Sequence, residues 1–131
     1  MHMEFYHPSI IDIIPMGETL RLFLEMNNEK TIVKRPMHII YEGHIPMAAY
    51  FLICGELEMR YRNRLVRSIQ EPNLIIGGRE LLNNKSFPFS VVAMPASEIY
   101  ILSRTSLQEA FQAGYLKQLQ AQPFRRPELR Q

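Results

Sequence analysis

The sequence predicts a mainly-β single domain, a jelly roll (double-stranded β-helix) of about eight strands between a short N-terminal helix and a C-terminal helix. The chain has 131 residues, a common length for one domain. Short apolar segments separated by turn residues recur at spacings of about ten residues, which is typical of rolls and sandwiches. Both ends instead repeat apolar residues at three- and four-residue spacing, which is typical of helices.

Composition limits the possible functions. Hydrophobic residues make up 47% of the chain and charged residues 21%, as in ordinary globular proteins. The net charge of +2 is too balanced to predict nucleic-acid binding, and no apolar stretch is long enough to span a bilayer. Cys54 is the only cysteine, which excludes an intramolecular disulfide and two-cysteine metal sites. We therefore expect a cytoplasmic protein without a cofactor and without a nucleic-acid or membrane partner.

Residues 1–30 are predicted to form an N-terminal arm followed by a helix. Leu20, Phe23 and Leu24 recur at helical spacing, and two asparagines at positions 27–28 mark the end of the helix.

Residues 31–104 are predicted to form the roll. Its expected strands are 31–33, 38–41, 50–54, 57–61, 65–69, 74–76, 89–93 and 99–102. Segment 50–54 is continuously apolar, which indicates a strand buried on both faces and predicts that Cys54 is buried and unreactive. Segment 57–61 alternates apolar and charged residues, as a half-buried strand does. Asn63 marks the hairpin that follows it, and Gly43 marks an earlier turn.

A C-terminal helix is predicted over residues 105–122, with a frayed tail over 123–131. Ser106 and Glu109 have capping-box spacing, and Pro123 ends the helix. One apolar stripe follows the helix and consists of Leu107, Ala110, Phe111, Gly114, Tyr115 and Leu119. We expect a homodimer that pairs through Leu107, Phe111, Tyr115 and Leu119 of this helix.

Three segments of the roll carry glycines in a characteristic order. Segment 38–43 is a strand that ends in Glu-Gly, segment 50–55 is an aromatic strand that ends in glycine, and segment 72–77 leads to a further glycine. With this order and spacing, residues from about Thr31 to Phe111 resemble the cyclic-nucleotide-binding domain of catabolite-activator-type regulators and kinase regulatory subunits. Asn73 stands where that family usually has a glycine.

The resemblance implies a phosphate-binding cassette that has lost its main contacts. In the family, a glutamate holds the ribose hydroxyl, an arginine neutralises the cyclic phosphate, and a short helix donates backbone N–H groups. Here Gly78 stands at the glutamate position and Phe87 at the arginine position; Glu80 approaches the ribose only after a shift of one or two residues. The pocket residues implied are Ile76, Gly77, Gly78, Arg79, Glu80, Leu81, Phe87, Phe89 and Ser90.

Several features of this cassette have two interpretations. Gly77 and Gly78 form either a phosphate nest or only a tight turn, and the missing arginine favours the turn. Phe87 and Phe89 either line a ligand pocket or fill the space that a nucleotide occupies in relatives, and close packing favours filling. Arg79 is the cation that a nucleotide-binding interpretation requires.

Four arginines cluster around the Asn63 turn: Arg60, Arg62, Arg64 and Arg67. We call this cluster the arginine hairpin. It is either a recognition surface for an acidic partner or the solvated edge of a sheet, where charges discourage aggregation. The sequence favours neither.

Catalysis and metal binding are not expected. His38 and His44 lie on different segments without a third ligand, and His7 has no ligand companions nearby. No Gly-x-Ser-x-Gly elbow or P-loop occurs. The residues after Phe111 are too few for the helix-turn-helix domain of the regulators.

The function predicted is a non-catalytic regulatory or adaptor domain that does not bind cAMP or cGMP in the usual way and acts through a protein partner. The alternative is a small-molecule sensor with non-standard contacts, whose signal would pass to the C-terminal helix. An enzyme of the cupin type is a remote third possibility.

Overall fold

The computed structural model describes the backbone of residues 12–13 and 18–114, with side chains from residue 22 onward. These residues form nine strands and three helices, namely β1 (Asp12–Ile13), α1 (Glu18–Asn27), β2 (Lys30–Ile32), β3 (Met37–Ile40), β4 (Ala49–Cys54), β5 (Leu57–Tyr61), β6 (Arg64–Ile69), β7 (Leu74–Ile76), α2 (Gly78–Asn83), β8 (Ser90–Ala93), β9 (Glu98–Leu102) and α3 (Arg104–Gln112).

The strands form two antiparallel sheets. One has the order β1-β7-β4-β9-β2, and the other has the order β3-β8-β5-β6. The predicted mainly-β roll with flanking helices is confirmed. No helix in the described ranges is both long enough and apolar enough to cross a membrane.

The main core lies between the two sheets. Inward-facing side chains of β4, β7 and β9 pack there against those of β3, β5 and β8, so that Leu52, Leu57 and Ile99 are completely inaccessible to solvent. The alternation read in segment 57–61 is confirmed, since Leu57 and Met59 are buried while Glu58 and Arg60 are partly exposed.

A second core covers the outer face of the five-stranded sheet. Phe51, Ile75 and Tyr100 point to this face and pack with Leu24 of α1 and Leu107 of α3. Strand β4 is thus buried on both faces, as its continuous apolar sequence predicts.

The prediction that Cys54 is buried is wrong, because Cys54 is exposed at the last position of β4. The strand leaves the covered part of the sheet before this residue. An apolar run therefore fixes the burial of the middle of a strand better than that of its end.

The end of α1 agrees with the sequence. The side-chain amide of Asn27 donates to the Phe23 carbonyl (2.7 Å) and that of Asn28 to the Leu24 carbonyl (3.1 Å). These bonds satisfy carbonyl groups that the last turn of a helix leaves unpaired.

Helix α3 starts earlier than the sequence predicts. Ser103, not Ser106, is the N-cap, and its hydroxyl accepts a hydrogen bond from the Ser106 N–H (3.0 Å). The described helix ends at Gln112, and Gly114 adopts φ +88°, a left-handed conformation that closes a helix. The rest of the predicted helix and the tail lie outside the described residues.

Strand β1 has no counterpart in the sequence-based prediction, and α2 corresponds to the short helix that only the resemblance implies. Strand β1 adds two residues to the edge of β7, with Asp12 opposite Ile75 and Ile13 opposite Leu74. Helix α2 has six residues. Both are too short to produce a readable periodicity in sequence.

The chain passes between the sheets at turns that touch each other. Residues 55–56 carry it from β4 to β5, and residues 94–97 carry it from β8 to β9. The buried Ser97 hydroxyl accepts a hydrogen bond from the Glu56 N–H (2.9 Å) and donates to the Glu56 carbonyl (3.0 Å). Gly55 has φ +107°, and a Cβ placed on it would lie 2.4 Å from the Ser97 Cα. The two turns can be this close only with a glycine at position 55.

We expect Gly55→Ala to lower the free energy of unfolding by about 3 kcal/mol or more, since it adds a backbone clash to left-handed strain. Gly43→Ala is the matched control: Gly43 also has positive φ (+81°), but nothing lies within 4 Å of an added Cβ. It should cost only about 1–2 kcal/mol. Urea unfolding of the three proteins measures both values, and equal costs would contradict the clash.

Candidate functional site

The region that the resemblance assigns to the phosphate-binding cassette is a turn followed by α2. Gly77 at φ +83° and Asn84 at φ +55° bound the helix, both in the left-handed conformation. Asn73, just before β7, also has a positive φ of +64°. Asparagine tolerates this conformation better than most residues, which explains how it can stand where a glycine is usual.

A loop over residues 43–48 lies against the start of α2. A Cβ on Gly77 would lie 3.0 Å from the Ile40 Cδ1 and 3.7 Å from both the Pro46 Cγ and the Ala48 carbonyl oxygen. Pro46 is itself buried. Backbone conformation and crowding together require a glycine at position 77, which supports the interpretation of this glycine as a tight turn.

Phe87 and Phe89 belong to the core between the sheets. Phe87 is completely buried, and its ring meets that of Phe89 edge-on with centroids 6.4 Å apart. The backbone of Phe87 is held on both sides, because its N–H donates to the His44 carbonyl (2.9 Å) and its carbonyl accepts from the Gly43 N–H (2.7 Å). Both rings therefore act as packing groups in this structure.

The aromatic contacts continue from Phe89 to the surface. The Phe89 ring meets the Tyr61 ring edge-on, with the centroids 6.3 Å apart. The Arg62 guanidinium lies over the same Tyr61 ring, 5.2 Å from its centroid. One row of contacts thus runs from Phe87 at the cassette to Arg62 at the turn of the arginine hairpin.

The remaining pocket residues separate into different surroundings. Ile76 faces the core between the sheets, whereas Leu81 packs in the second core. Arg79 and Glu80 are the only charged side chains that are buried among those described. Ser90 lies to one side, where its hydroxyl accepts a hydrogen bond from the Glu42 N–H (3.3 Å). Ile76, Phe87 and Phe89 thus share the core between the sheets, and Leu81 lies in the other core.

Tyr50 is a titratable group of this region whose acidity is shifted. It faces the core between the sheets, and burial raises the pKa of its phenol above the usual value. The phenol is therefore neutral at physiological pH and supplies no charge to the site.

The arginine hairpin closes through a tight turn, as Asn63 predicts. Arg62 at φ +51° and Asn63 at φ +68° form the two left-handed positions of a type I′ turn. The Arg62 N–H donates to the Glu42 carboxylate (2.9 Å), which fixes the turn against the end of β3.

The four arginines do not contribute equally to the positive charge. Arg60 pairs with the Glu58 carboxylate, and Arg67 lies 3.4 Å from that of Glu71. Arg62 and Arg64, by contrast, are both exposed at the turn. The positive surface is therefore smaller than the sequence suggests and is centred on these two residues.

The proposed dimer helix is only partly available to another protomer. Leu107 is completely buried in the second core, which corrects its assignment to the dimer surface. The reason is that the outer face of the sheet takes up the first turns of α3. Phe111 is half-buried against the same core, and Tyr115 and Leu119 lie outside the described residues.

The histidines form aromatic contacts. The His38 ring stacks on that of Tyr41 (4.5 Å between centroids, 2° between planes), and His44 meets Tyr41 edge-on at 6.3 Å. His7 lies outside the described residues. Within the described part of the chain, no three His, Cys, Asp or Glu side chains are placed to hold a metal ion.

The sequence did not indicate that the loop over residues 43–48 packs against the cassette turn at Gly77. Pro46 lies beside Gly77 although the two are far apart in sequence, and only the fold brings them together. A proline in an irregular segment gives no periodic signal, so nothing local indicated its burial.

Comparison with solved structures identifies the fold as that of the cyclic-nucleotide-binding domain. A protein from a cyclic-GMP-dependent signalling pathway that regulates bacterial phytopathogenesis is similar, with a TM-score of 0.68 and 12% identity over 82% of this chain and 90% of that one. The catabolite activator protein of Thermus thermophilus is similar with a TM-score of 0.63 and 20% sequence identity. The match covers 82% of this chain and 52% of that protein.

A cyclic nucleotide-binding-like protein from Brucella abortus has a TM-score of 0.61 and 17% identity, over 75% of this chain and 87% of that one. No protein-family model and no curated protein matches the sequence. At these identities the similarity establishes the fold.

We expect Phe87→Ala to lower the free energy of unfolding by about 3–5 kcal/mol, because it leaves a cavity between the sheets. Tyr41→Ala is the control: it removes a ring that is 56% exposed and stacks on His38, so its cost should be only about 1 kcal/mol. Chemical denaturation of the two variants and the unchanged protein measures both losses in the free energy of unfolding. A small cost for Phe87→Ala would mean that the ring lines an open space.

Proposed function

We propose that this protein is a non-catalytic regulatory domain of the cytoplasm, with the cyclic-nucleotide-binding fold, that does not bind cAMP or cGMP and acts by binding another protein. The observation that carries this proposal is the complete burial of Phe87 at the position where the resemblance implies a phosphate-neutralising arginine.

The energetic argument concerns the phosphate of a bound nucleotide. Phe87 offers no charge, and Gly78 offers no carboxylate to a ribose hydroxyl. Losing a charge-assisted contact at a partly desolvated phosphate costs on the order of 3–5 kcal/mol. Since each 1.4 kcal/mol is about tenfold in affinity, a micromolar site would become millimolar or weaker.

Two observations support a protein-binding, non-catalytic role. The arginine hairpin presents Arg62 and Arg64 to solvent at a turn whose geometry is fixed. Catabolite activator protein, a regulator, has the same fold. The homodimer through residues 105–122 stays a prediction, which now depends on Phe111 and on Tyr115 and Leu119.

The second candidate function is a sensor that binds a cyclic nucleotide or another small ligand through non-standard contacts. The burial of Arg79 and Glu80 within α2 favours it, since both charged groups lie on the cassette helix. The two candidates differ in their response to cyclic nucleotides.

We expect millimolar cAMP or cGMP to leave the melting temperature of the protein unchanged. A ligand at about 100 times its dissociation constant would stabilise the fold by about 2.7 kcal/mol, enough to shift the melting temperature of a domain this size by several degrees. Differential scanning fluorimetry measures the shift, with an intact cyclic-nucleotide-binding domain as the positive control.

A rise of several degrees at about 0.1 mM nucleotide, as a micromolar site would produce, would contradict the proposal. Repeating the titration with Arg79→Gln would then show whether this arginine replaces the missing one. Loss of the shift in that variant would establish the sensor function.

We expect reversal of two charges, Arg62→Glu with Arg64→Glu, to weaken capture of the native partner from an extract of the source cells, because complementary charge speeds encounter and orients the partner. The melting temperature should fall only slightly, since both side chains are exposed and the change removes one surface contact, that of Arg62 with the Tyr61 ring. Lys34→Glu with Arg35→Glu is the matched control, an equal charge change at two exposed residues of another turn. Equal capture by both double variants would exclude the arginine hairpin as the recognition surface.

A further inference from the structure

Strand β6 is the free edge of the four-stranded sheet. It pairs with β5 on one side, and in the described part of the chain no strand lies on its other side. The first five of its six residues are exposed. Backbone N–H and C=O groups along an unpaired edge can bond to a further strand.

The other described edges are less suited to receive a strand. Strand β1 has two residues and β2 has three, and the Lys30 side chain of β2 is paired with Glu98 (3.3 Å). Strand β3 has four residues, of which the last two are buried. Strand β6 is therefore the longest and most accessible edge.

Apolar side chains lie in the middle of this edge. Leu65 is 58% exposed and Val66 is 49% exposed. Leu65 pairs with Arg60 and Arg67 with Met59, so Val66 is an additional residue without a partner on β5, which makes a β-bulge. Bulges turn side chains out of the regular alternation, which presents two neighbouring apolar groups here.

Charge surrounds the apolar pair. Arg64 precedes it in β6, Arg67 follows it, and Arg62 lies in the adjoining turn. An apolar centre with an arginine-rich rim is the usual composition of a protein-binding surface. The exposed contact between Arg67 and Glu71, at 3.4 Å, is of the kind that contributes little to stability, so a partner carboxylate can replace it.

The arginines also determine which kind of strand can pair with the free edge of β6. A second copy of the chain, paired edge to edge through β6, would bring Arg64 and Arg67 of one protomer against those of the other. Like charges directly opposite each other destabilise a strand pair. The same arginines attract carboxylates, while Leu65 and Val66 favour apolar side chains between them.

Building on the proposed function, we infer that β6 receives an extended, acidic segment of a partner protein as an added strand. Acidic side chains of that segment meet Arg64 and Arg67, and apolar ones cover Leu65 and Val66. Main-chain hydrogen bonds provide affinity and the side chains provide specificity, as in other cases of strand addition.

A labelled synthetic peptide of alternating glutamate and valine residues tests this inference by fluorescence anisotropy. We expect the full chain to bind it and to lose at least about tenfold in affinity when every backbone amide of the peptide is N-methylated, which removes its donors but keeps its charge. Hydrogen exchange should show new protection of the amides of residues 65–68 in the complex.

Variants of the chain provide the controls. Arg64→Glu should weaken peptide binding by about tenfold, whereas Lys34→Glu should leave it unchanged. A peptide that alternates lysine and valine should not bind. A single-stranded oligonucleotide that binds more tightly than the acidic peptide would overturn the inference in favour of a nucleic-acid surface, and so would protection confined to residues outside β6.

Different results would contradict strand addition to β6 and the proposed function. Equal binding of the N-methylated and unmodified peptides would overturn strand addition even if reversing Arg62 and Arg64 abolished capture of the native partner. A nucleotide-induced melting shift would overturn the proposed function without changing the peptide result. Absence of peptide binding at millimolar concentration would overturn strand addition alone.

Discussion

The close approach of Gly55 to Ser97 holds the two sheets in their relative positions. Three connections between the sheets meet there, because Ser97 bonds to Glu56 through its hydroxyl while its carbonyl accepts from the Val33 N–H (2.9 Å). The Ala96 N–H in turn donates to the Val33 carbonyl (2.8 Å). Each of these connections carries the chain from one sheet to the other. A buried hydroxyl with both hydrogen-bonding roles satisfied adds rigidity at little cost in free energy.

The composition of the inner core follows from this arrangement. The segment that leads into β8 places the side chains of Phe87 and Phe89 in the core between the sheets, while residues 84–86 before them are exposed. A protein interior tolerates few voids, and these two aromatic rings pack there against the other buried side chains of this core. The loop over 43–48 limits the same region from the other side, since Pro46 lies against Gly77.

Much of the fold was predictable because strands of five or six residues have a readable alternation, and because Asn63 and Gly43 mark turns that need a left-handed backbone. The site was less predictable. Helix α2 is shorter than two turns, and the capping-box spacing of Ser106 and Glu109 predicted the start of α3 too late, since Ser103 is its N-cap. The pairing of Arg60 with Glu58 follows from their position on one face of β5, yet charge counting over the sequence overlooks it. The neighbours of Pro46 depend entirely on tertiary structure.

The interior and the arginine hairpin are parts of one packed unit. Phe87 contacts Phe89, Phe89 contacts Tyr61, and Tyr61 supports the Arg62 guanidinium, with separations of 6.4, 6.3 and 5.2 Å. The aromatic rings that occupy the inner core therefore also hold the turn that precedes β6. Binding to a surface whose side chains are already ordered loses less conformational entropy than binding to a mobile one. The ordered contacts of Arg62 thus give the start of β6 a pre-arranged side chain, which favours the strand addition that we propose at this edge.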